Sequence, residues 1–376
     1  MDIDARELII LSTISGVGTA RLRGLVNHFG GTGGVFQATA HDLSSVEGLD
    51  KRTAASILSF LIGSERSEAA ALADAQLSKL NRLDAHIVTV WDESYPINLR
   101  KVYDPPPFLF ARGTILPRDE ISLAVVGTRN PSPYGSRLAG FFAQELARLD
   151  FTVVSGLARG IDTLAHEAVL KAGGRTIAVI GSGLDVPYPP ENIPLGNSIV
   201  RNGAIISEYL MGTQPDAVNF PRRNRIISGM TLGTLVIETG IEGGAMITAS
   251  MALDQNREVF ALPGPIGDGR PSGTHLLIKE GRAKLTESVD DILAELDPSL
   301  RRGSAMAGTS LQATRPRPEL SLFEQKVLDA IGSGKIHVDD IAISARLSSG
   351  EVLVELLNLE LKGLIRQQPG KIFSAI

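Results

Sequence analysis

The chain has 376 residues, 43% of them hydrophobic, a formal net charge of −5 and no cysteine. That length allows two or three domains with sizeable cores. The acidic balance excludes a generally basic nucleic-acid coat, so a polyanion site has to be a local concentration of arginine, and the missing thiols exclude disulfides, thiolate zinc sites and cysteine nucleophiles.

The start, Met1-Asp2-Ile3-Asp4-Ala5-Arg6, is acidic and no apolar run approaches bilayer length, which leads us to expect a cytoplasmic protein without membrane attachment. Residues 1–80 read as a small helical domain. Within it, Ile14-Ser15-Gly16-Val17-Gly18-Thr19-Ala20-Arg21 and a weaker echo, Val46-Glu47-Gly48-Leu49-Asp50-Lys51-Arg52, resemble helix-hairpin-helix turns, whose exposed backbone N–H groups hold a phosphate. The second copy lacks its final glycine, and glycine acting as a plain helix stop accounts for both equally well.

Residues 81–122, with Trp91, Tyr95-Pro96 and Pro105-Pro106-Pro107, read as an irregular extension leading into a sheet. From there to about residue 296, short β-branched or apolar runs at 123–127, 152–155, 176–180, 204–207, 234–238, 258–262 and 283–285 alternate with helical stretches. That alternation specifies an α/β fold with a doubly wound, mostly parallel sheet, which together with the extension makes one domain over residues 81–297. Residues 298–318 are rich in Ser, Gly, Pro and Arg and read as a flexible linker. The remainder, 319–376, reads as three helices and a hairpin, the outline of a winged helix. Its third helix carries Glu351, Glu355 and Glu360, which repel a DNA groove and favour contact with protein.

Ligands of open α/β sheets bind beyond the carboxyl ends of the strands, and there this chain places one conspicuous loop after another. These are Gly127-Thr128-Arg129, Ser155-Gly156-Leu157-Ala158-Arg159-Gly160-Ile161-Asp162, Gly181-Ser182-Gly183 and Gly243-Gly244-Ala245. Phe220-Pro221-Arg222-Arg223-Asn224-Arg225 adds three arginines in what reads as the first turn of a helix, the end whose unpaired N–H groups repel cations. Either an anion is recruited or a carboxylate such as Glu208, Glu238 or Asp216 folds back. The candidate phosphate-binding residues are therefore Gly127, Thr128, Arg129, Ser155, Gly156, Arg159, Gly160, Gly181, Phe220, Arg222, Arg223, Asn224, Arg225, Gly243 and Gly244. Tyr134, Tyr188 and Phe220 are candidate stacking surfaces.

Cofactor and catalytic chemistry find little support. Gly181 and Gly183 are followed by Val186, which breaks the dinucleotide fingerprint, and no phosphate-loop string occurs. Asp162 and His166 stand four apart, yet the reading that fits best has Asp162 capping a helix and His166 packed beneath the loop. Glu208 and Glu238 end strands, and anchoring loop amides and arginines is their better-supported role.

In order along the sheet domain, Gly127-Thr128-Arg129, Tyr134-Gly135, Ser155 to Asp162 with Ala165-His166, Tyr188-Pro189, Ser207-Glu208, Phe220 to Gly229, Thr248-Ala249, Pro263-Gly264 and Gly273-Thr274 resemble the DNA-processing protein A (DprA, or Smf) family. The layout also resembles family members with a sterile-alpha-motif type domain in front and a winged helix behind. The resemblance implies a cofactor-free, non-catalytic single-stranded DNA-binding protein of natural transformation. Such a protein dimerises through its Rossmann-like domain, shields incoming strands alongside a single-strand-binding protein, and loads the RecA-type recombinase. The Gly-Ser/Thr-Arg motif of the family falls on Gly127, Thr128 and Arg129, and its basic pocket on Arg222, Asn224 and Arg225. Met230-Thr231 stands where Leu-Ser is usual, and Gly243-Gly244-Ala245 replaces a serine-containing turn, which removes a hydroxyl near the pocket. The alternative is a phosphoribohydrolase of the LOG type acting on nucleoside monophosphates. Its Pro-Gly-Gly-x-Gly-Thr-x-x-Glu signature is absent, since Gly233-Thr234 runs into a strand ending at Glu238.

Overall fold

The computed structural model describes residues 1–296, 321–332, 335–345, 347–361, 365–368 and 371–375. The segment read as a linker, 298–318, lies outside them together with both of its borders. The chain divides into two compact units, Met1–Ala307 and Gly308–Ile376.

The first unit opens with six helices, α1 (Ala5–Ser12), α2 (Thr19–His28), α3 (Thr32–Phe36), α4 (Ala40–Ser44), α5 (Lys51–Ile62) and α6 (Glu65–Arg82). Leu8, Leu11, Leu22, Leu25 and Ile57 form the centre of their core, on the spacing of one helical stripe. Both glycine hairpins are present as turns with positive φ, at Gly16 (82°) and Gly48 (77°). The second uses Asp50 where glycine was missing: its carboxylate accepts the Thr53 N–H at 2.8 Å and caps α5. Arg21 ties the two hairpins together, donating to Gly16 O at 2.8 Å and to Asp50 Oδ2 at 3.0 Å.

The sheet begins earlier than expected. β1 (Ala85–Thr89), the short α7 (Ile97–Arg100) and β2 (Phe108–Gly113) occupy the stretch read as irregular, and β1 pairs antiparallel with β2. The Phe108-Leu109-Phe110 run is a buried strand whose signal is masked by the three prolines just before it. There follow β3 (Ser122–Val126), α8 (Pro133–Arg148), β4 (Thr152–Ser155), α9 (Ile161–Lys171), β5 (Thr176–Val179), α10 (Ile193–Arg201) and β6 (Gly203–Ser207). The unit closes with α11 (Asn219–Gly229), β7 (Gly233–Val236), α12 (Gly244–Asp254), β8 (Glu258–Ala261), α13 (Ser272–Lys279), β9 (Lys284–Leu285) and α14 (Val289–Glu295).

Among the described residues this sheet has nine strands in the order β1-β2-β6-β5-β4-β3-β7-β8-β9. β2 meets β6 antiparallel, and every pairing from β6 to β9 is parallel. Alternate side chains of each strand serve opposite faces. Leu123, Val125, Val153 and Leu235 pack under α8 and α9, whereas Ala124, Val126, Val154 and Val236 pack under α11 and α12. Chain direction diverges at β3, with β4 to β6 on one side and β7 to β9 on the other, which makes the carboxyl ends of β3 and β7 a topological switch point.

In the second unit the helices Leu322–Ile331, Val338–Ala345 and Ser349–Leu361 surround Val327, Ile341, Val352 and Leu356. A short strand, Lys335–His337, joins the hairpin of Ile365–Gln368 and Ile372–Ala375 to form the three-stranded wing. The helix Ser349–Leu361 also leaves Leu353, Val354 and Leu357 exposed among its glutamates.

Candidate nucleic-acid interface

At the switch point the loops after β3 and β7 are stitched to each other before they meet anything else. Thr128 N donates to Glu238 O at 2.7 Å, and Ile161 N at the start of α9 donates to Thr128 O at 3.2 Å. Glu238, 3% exposed, accepts Ser132 N at 2.9 Å and Ser132 Oγ at 2.5 Å, and Ser132 caps α8. A carboxylate used in this way is a structural anchor, the role expected for it from the sequence.

Above these anchors lies a cleft of about 650 Å³. Its walls include Gly127, Thr128, Arg129, Phe220, Arg223, Asn224, Gly243 and Gly244, brought from the loops after β3 and β7 and the start of α11. α12 begins at Gly244 with no side-chain cap and no acidic residue in its first turn, so its N–H groups face the cleft uncompensated. A smaller recess beside it gathers Gly156, Arg159, Gly181 and Tyr188 with Arg129, Phe220 and Arg223. Phe220 is the common wall. The Arg129 guanidinium lies 5.4 Å from its ring centroid, that of Arg223 lies at 5.9 Å, and the Tyr188 ring is 5.8 Å away at 43°. Arg129 is exposed and makes no ion pair among the described residues.

The remaining arginines divide into different roles, because successive residues of a helix point about 100° apart. Arg222 is exposed and without an ion pair among the described residues. Arg223, expected to hold phosphate, is 4% exposed and turned under the cleft, where it donates to Gly156 O at 2.6 Å and to Val179 O. Burial pushes its guanidinium down to about 10, with the Asp162 carboxylate pulling the other way. Arg225 lies on the far side of α11, where it donates to the Glu208 carboxylate and, at 2.8 Å, to Asp104 O. This is the fold-back that the sequence left open, made by Glu208, whose carboxyl is pushed up by burial against the pull of Arg225. Arg159 pairs with Glu191 at the surface.

Two other candidates are also internal. Ser155 is fully buried and donates to Val125 O at 2.7 Å, because the strand alternation turns it away from the loop surface. Gly160, with φ 79°, is where the β4–α9 loop lies against the carbonyls of Thr128 and Arg129, so it shapes the cleft without lining it. Gly156 has a similar reason for being glycine: a Cβ there would sit 2.6 Å from Arg223 Nη1 and 2.7 Å from Asp162 Oδ2. Of the stacking candidates, Tyr134 lines neither recess and donates to Pro263 O at 3.3 Å.

Asp162 departs from the helix cap expected of it. Gly160 holds the cap position, and Asp162 in the first turn reaches back to accept Gly156 N at 3.0 Å, while burial raises its carboxyl. His166 is fully buried with Nδ1 2.7 Å from Thr176 Oγ1. The Thr176 hydroxyl donates its one hydrogen to Val153 O at 2.7 Å, so the ring must donate from Nδ1, and burial keeps it neutral. Its Nε2 has no partner among the described residues. His166 does not reach the cleft, and Asp162 borders it with its carboxylate already engaged by the Gly156 and Ala158 N–H groups.

Sequence reasoning missed Arg23 and Asp104. Arg23 Nη1 donates to Asp104 Oδ1 at 3.2 Å and to Pro105 O, and Thr19 Oγ1 donates to the same Asp104 oxygen at 2.6 Å. These partners are about eighty positions apart, and no local motif announces them. Among the described residues no cluster of His, Cys, Asp or Glu suits a metal ion, and no helix is long and apolar enough to cross a membrane.

Against known proteins, the family model for DNA recombination-mediator protein A matches residues 86–297 and that for the DprA winged helix domain matches residues 312–371. Protein Smf of Escherichia coli is 40% identical over 79% of this chain and 79% of its own, and Protein Smf of Synechocystis is 34% identical over 96% of both. The X-ray structure of DNA processing protein A from Streptococcus pneumoniae aligns with a TM-score of 0.64 at 36% identity, covering 79% of this chain and 99% of that one. A Helicobacter pylori DNA processing protein A, described in terms of its single-stranded DNA binding mode, aligns with a TM-score of 0.51 at 28% identity over 56% of this chain and 94% of its own. On this shared sequence and architecture, the chain belongs to the DNA recombination-mediator protein A (DprA/Smf) family.

Proposed function

We propose that the cleft at the switch point holds single-stranded DNA by its phosphodiester backbone, and that the protein is a recombination mediator which shields incoming strands in natural transformation and helps a RecA-type recombinase load on them. The observation that carries this reading is Arg129, an exposed guanidinium without a carboxylate partner among the described residues, set over Phe220 at the rim of a cleft floored by glycine loops and an uncapped helix start. Small residues let backbone N–H groups approach phosphate closely, and the guanidinium fork supplies paired donors. Phe220 and Tyr188 offer ring faces to unstacked bases without reading their edges, which favours single strands over duplex and gives little base preference.

The phosphate contacts we propose are Arg129, Arg222, Asn224 and the amides around Gly127, Thr128, Gly243 and Gly244, with Gly156, Gly181 and Arg159 bordering the neighbouring recess. Arg223 and Arg225 support this surface from beneath and behind. A single-strand-binding protein and a second copy of this chain, joined through the Rossmann-like domain, complete the proposed partners. The winged helix serves protein contact, because its third helix presents apolar side chains among glutamates. The reaction scheme contains no catalytic step and no cofactor.

Titration of labelled oligothymidylate and of blunt duplex of equal length, at low salt, tests the reading. Tighter binding of the single strand is expected, and equal affinities would sink it. Release of free adenine from AMP would instead favour a LOG-type hydrolase.

A further inference from the structure

A second cleft, of about 400 Å³, opens between the N-terminal helices and the sheet. Gly18, Thr19, Pro106, Pro107, Glu208 and Tyr209 line it. At its edge Asp104 Oδ1 is held by the Thr19 hydroxyl at 2.6 Å and by Arg23 Nη1 at 3.2 Å, with the Arg23 side chain 17% exposed and that of Asp104 40% exposed. A hydroxyl and a guanidinium converging on one anionic oxygen are a donor set that suits a phosphate oxygen as well as a carboxylate. Next to Asp104, Tyr103 is 98% exposed, a ring facing water at the tip of its loop.

The two clefts lie on either side of the first turn of α11. Tyr209, which lines the second, donates to Asn219 O at 3.2 Å, and the following residue, Phe220, lines the first. Arg222 stands exposed on the same turn. Building on the single-strand reading of the first cleft, we propose that the second is a further phosphodiester subsite. The same DNA strand passes over Arg222 into it, a backbone phosphate takes the place of the Asp104 carboxylate on Thr19 and Arg23, and Tyr103 stacks a base. Asp104 then acts as a built-in competitor that keeps the subsite closed to short strands. Arg225 remains paired with Glu208 and positions the loop through Asp104 O.

The test is fluorescence anisotropy with oligothymidylates of increasing length, on the full chain and two variants, each checked by thermal melting. Asp104→Asn removes the competing charge. It is expected to raise affinity for long strands by roughly two- to fivefold, the scale of one partly exposed charge pair, to steepen the log-affinity against log-salt slope by about 0.7, and to leave the shortest bound strand unaffected. Tyr103→Ala, at a 98% exposed position that tolerates truncation, is expected to lose affinity only for strands long enough to reach the second cleft. If Asp104→Asn fails to fold, Tyr103→Ala decides alone. Variants that shift short and long strands equally, or shift neither, overturn the second subsite while the first stands. Failure of the unaltered chain to bind any single strand overturns both.

Discussion

Arg225 donates to the Glu208 carboxylate with both side chains less than one-fifth exposed, 19% and 14%, while Arg129 on the facing loop has no carboxylate partner among the described residues. Two arginines that look equivalent in the sequence should therefore fail in different ways. Arg129→Ala should weaken single-strand binding and lower the magnitude of the salt slope by about 0.7, one phosphate contact, with the melting temperature unchanged. Arg225→Ala should cost about 2 kcal/mol of stability, the scale of a lost charge-assisted hydrogen bond, with the slope of the surviving folded protein unchanged. Salt titration and thermal melting of the same two variants check this, and a steady slope in Arg129→Ala would defeat the phosphate assignment.

Gly156→Ala should be the more damaging of two conservative changes in the glycine loops. Its Cβ would press on Arg223 Nη1 and Asp162 Oδ2, both fixed by other bonds, at a cost of about 1–3 kcal/mol. At Gly244 a Cβ meets nothing within 4 Å, and alanine at this first helical position should leave stability unchanged or raise it by about 0.5 kcal/mol. The same methyl crowds the amides facing the cleft, so Gly244→Ala should bind single strands more weakly while melting no earlier. Equal melting points for the two variants would show that the Arg223–Asp162 brace does not bear on stability.

His166 makes the fold sensitive to acid. Burial, and then the nearby Arg223 charge, lower its pKa from 6.5 to about 3. Between those values the unfolded chain binds a proton that the folded chain does not, so this residue lowers stability as pH falls from about 6.5 toward 3 and has no effect above. The limiting slope is about 1.4 kcal/mol per pH unit. His166→Asn, whose amide replaces the Nδ1 donor, should flatten that part of the melting curve against pH, and parallel curves for the two proteins would contradict it.

Removing residues 319–376 should leave single-strand affinity within about twofold, the agreement expected when separate sites are independent. A collapse in affinity with the sheet unit still folded would assign the winged helix a direct share in DNA binding.

The parallel strands were legible because each is a short β-branched run between helical stretches, and the strands at 152–155 and 258–262 were placed to within a residue or so. β1 and β2 were not, since the prolines before Phe108 and the broken pattern around Trp91 hide two antiparallel strands whose pairing is visible only once β6 is in place. The loops of the cleft were legible as glycine punctuation. What each arginine does was not, because helical rotation separates Arg222, Arg223 and Arg225, and their partners Glu208, Gly156 and Asp104 lie 17, 67 and 121 positions away from the residues they bind. Glu238 was the exception, since a strand-end carboxylate beside a glycine loop carries its anchoring role in its position.

The stitching of Glu238 to Thr128 and Ser132 bears on when the protein acquires the binding surface proposed for it. Ser132 and Glu238 are 106 positions apart, so a chain emerging during synthesis can complete β3 through β6 and still have no cleft, because one wall is not yet made. Long-range closures of this kind come late and together, since the entropy of the intervening chain is lost before the contact repays it. Polyanion binding should therefore arise in a single step when β7 docks, and a nascent or truncated chain ending before Gly233 presents its arginines without a phosphate track to hold them in register.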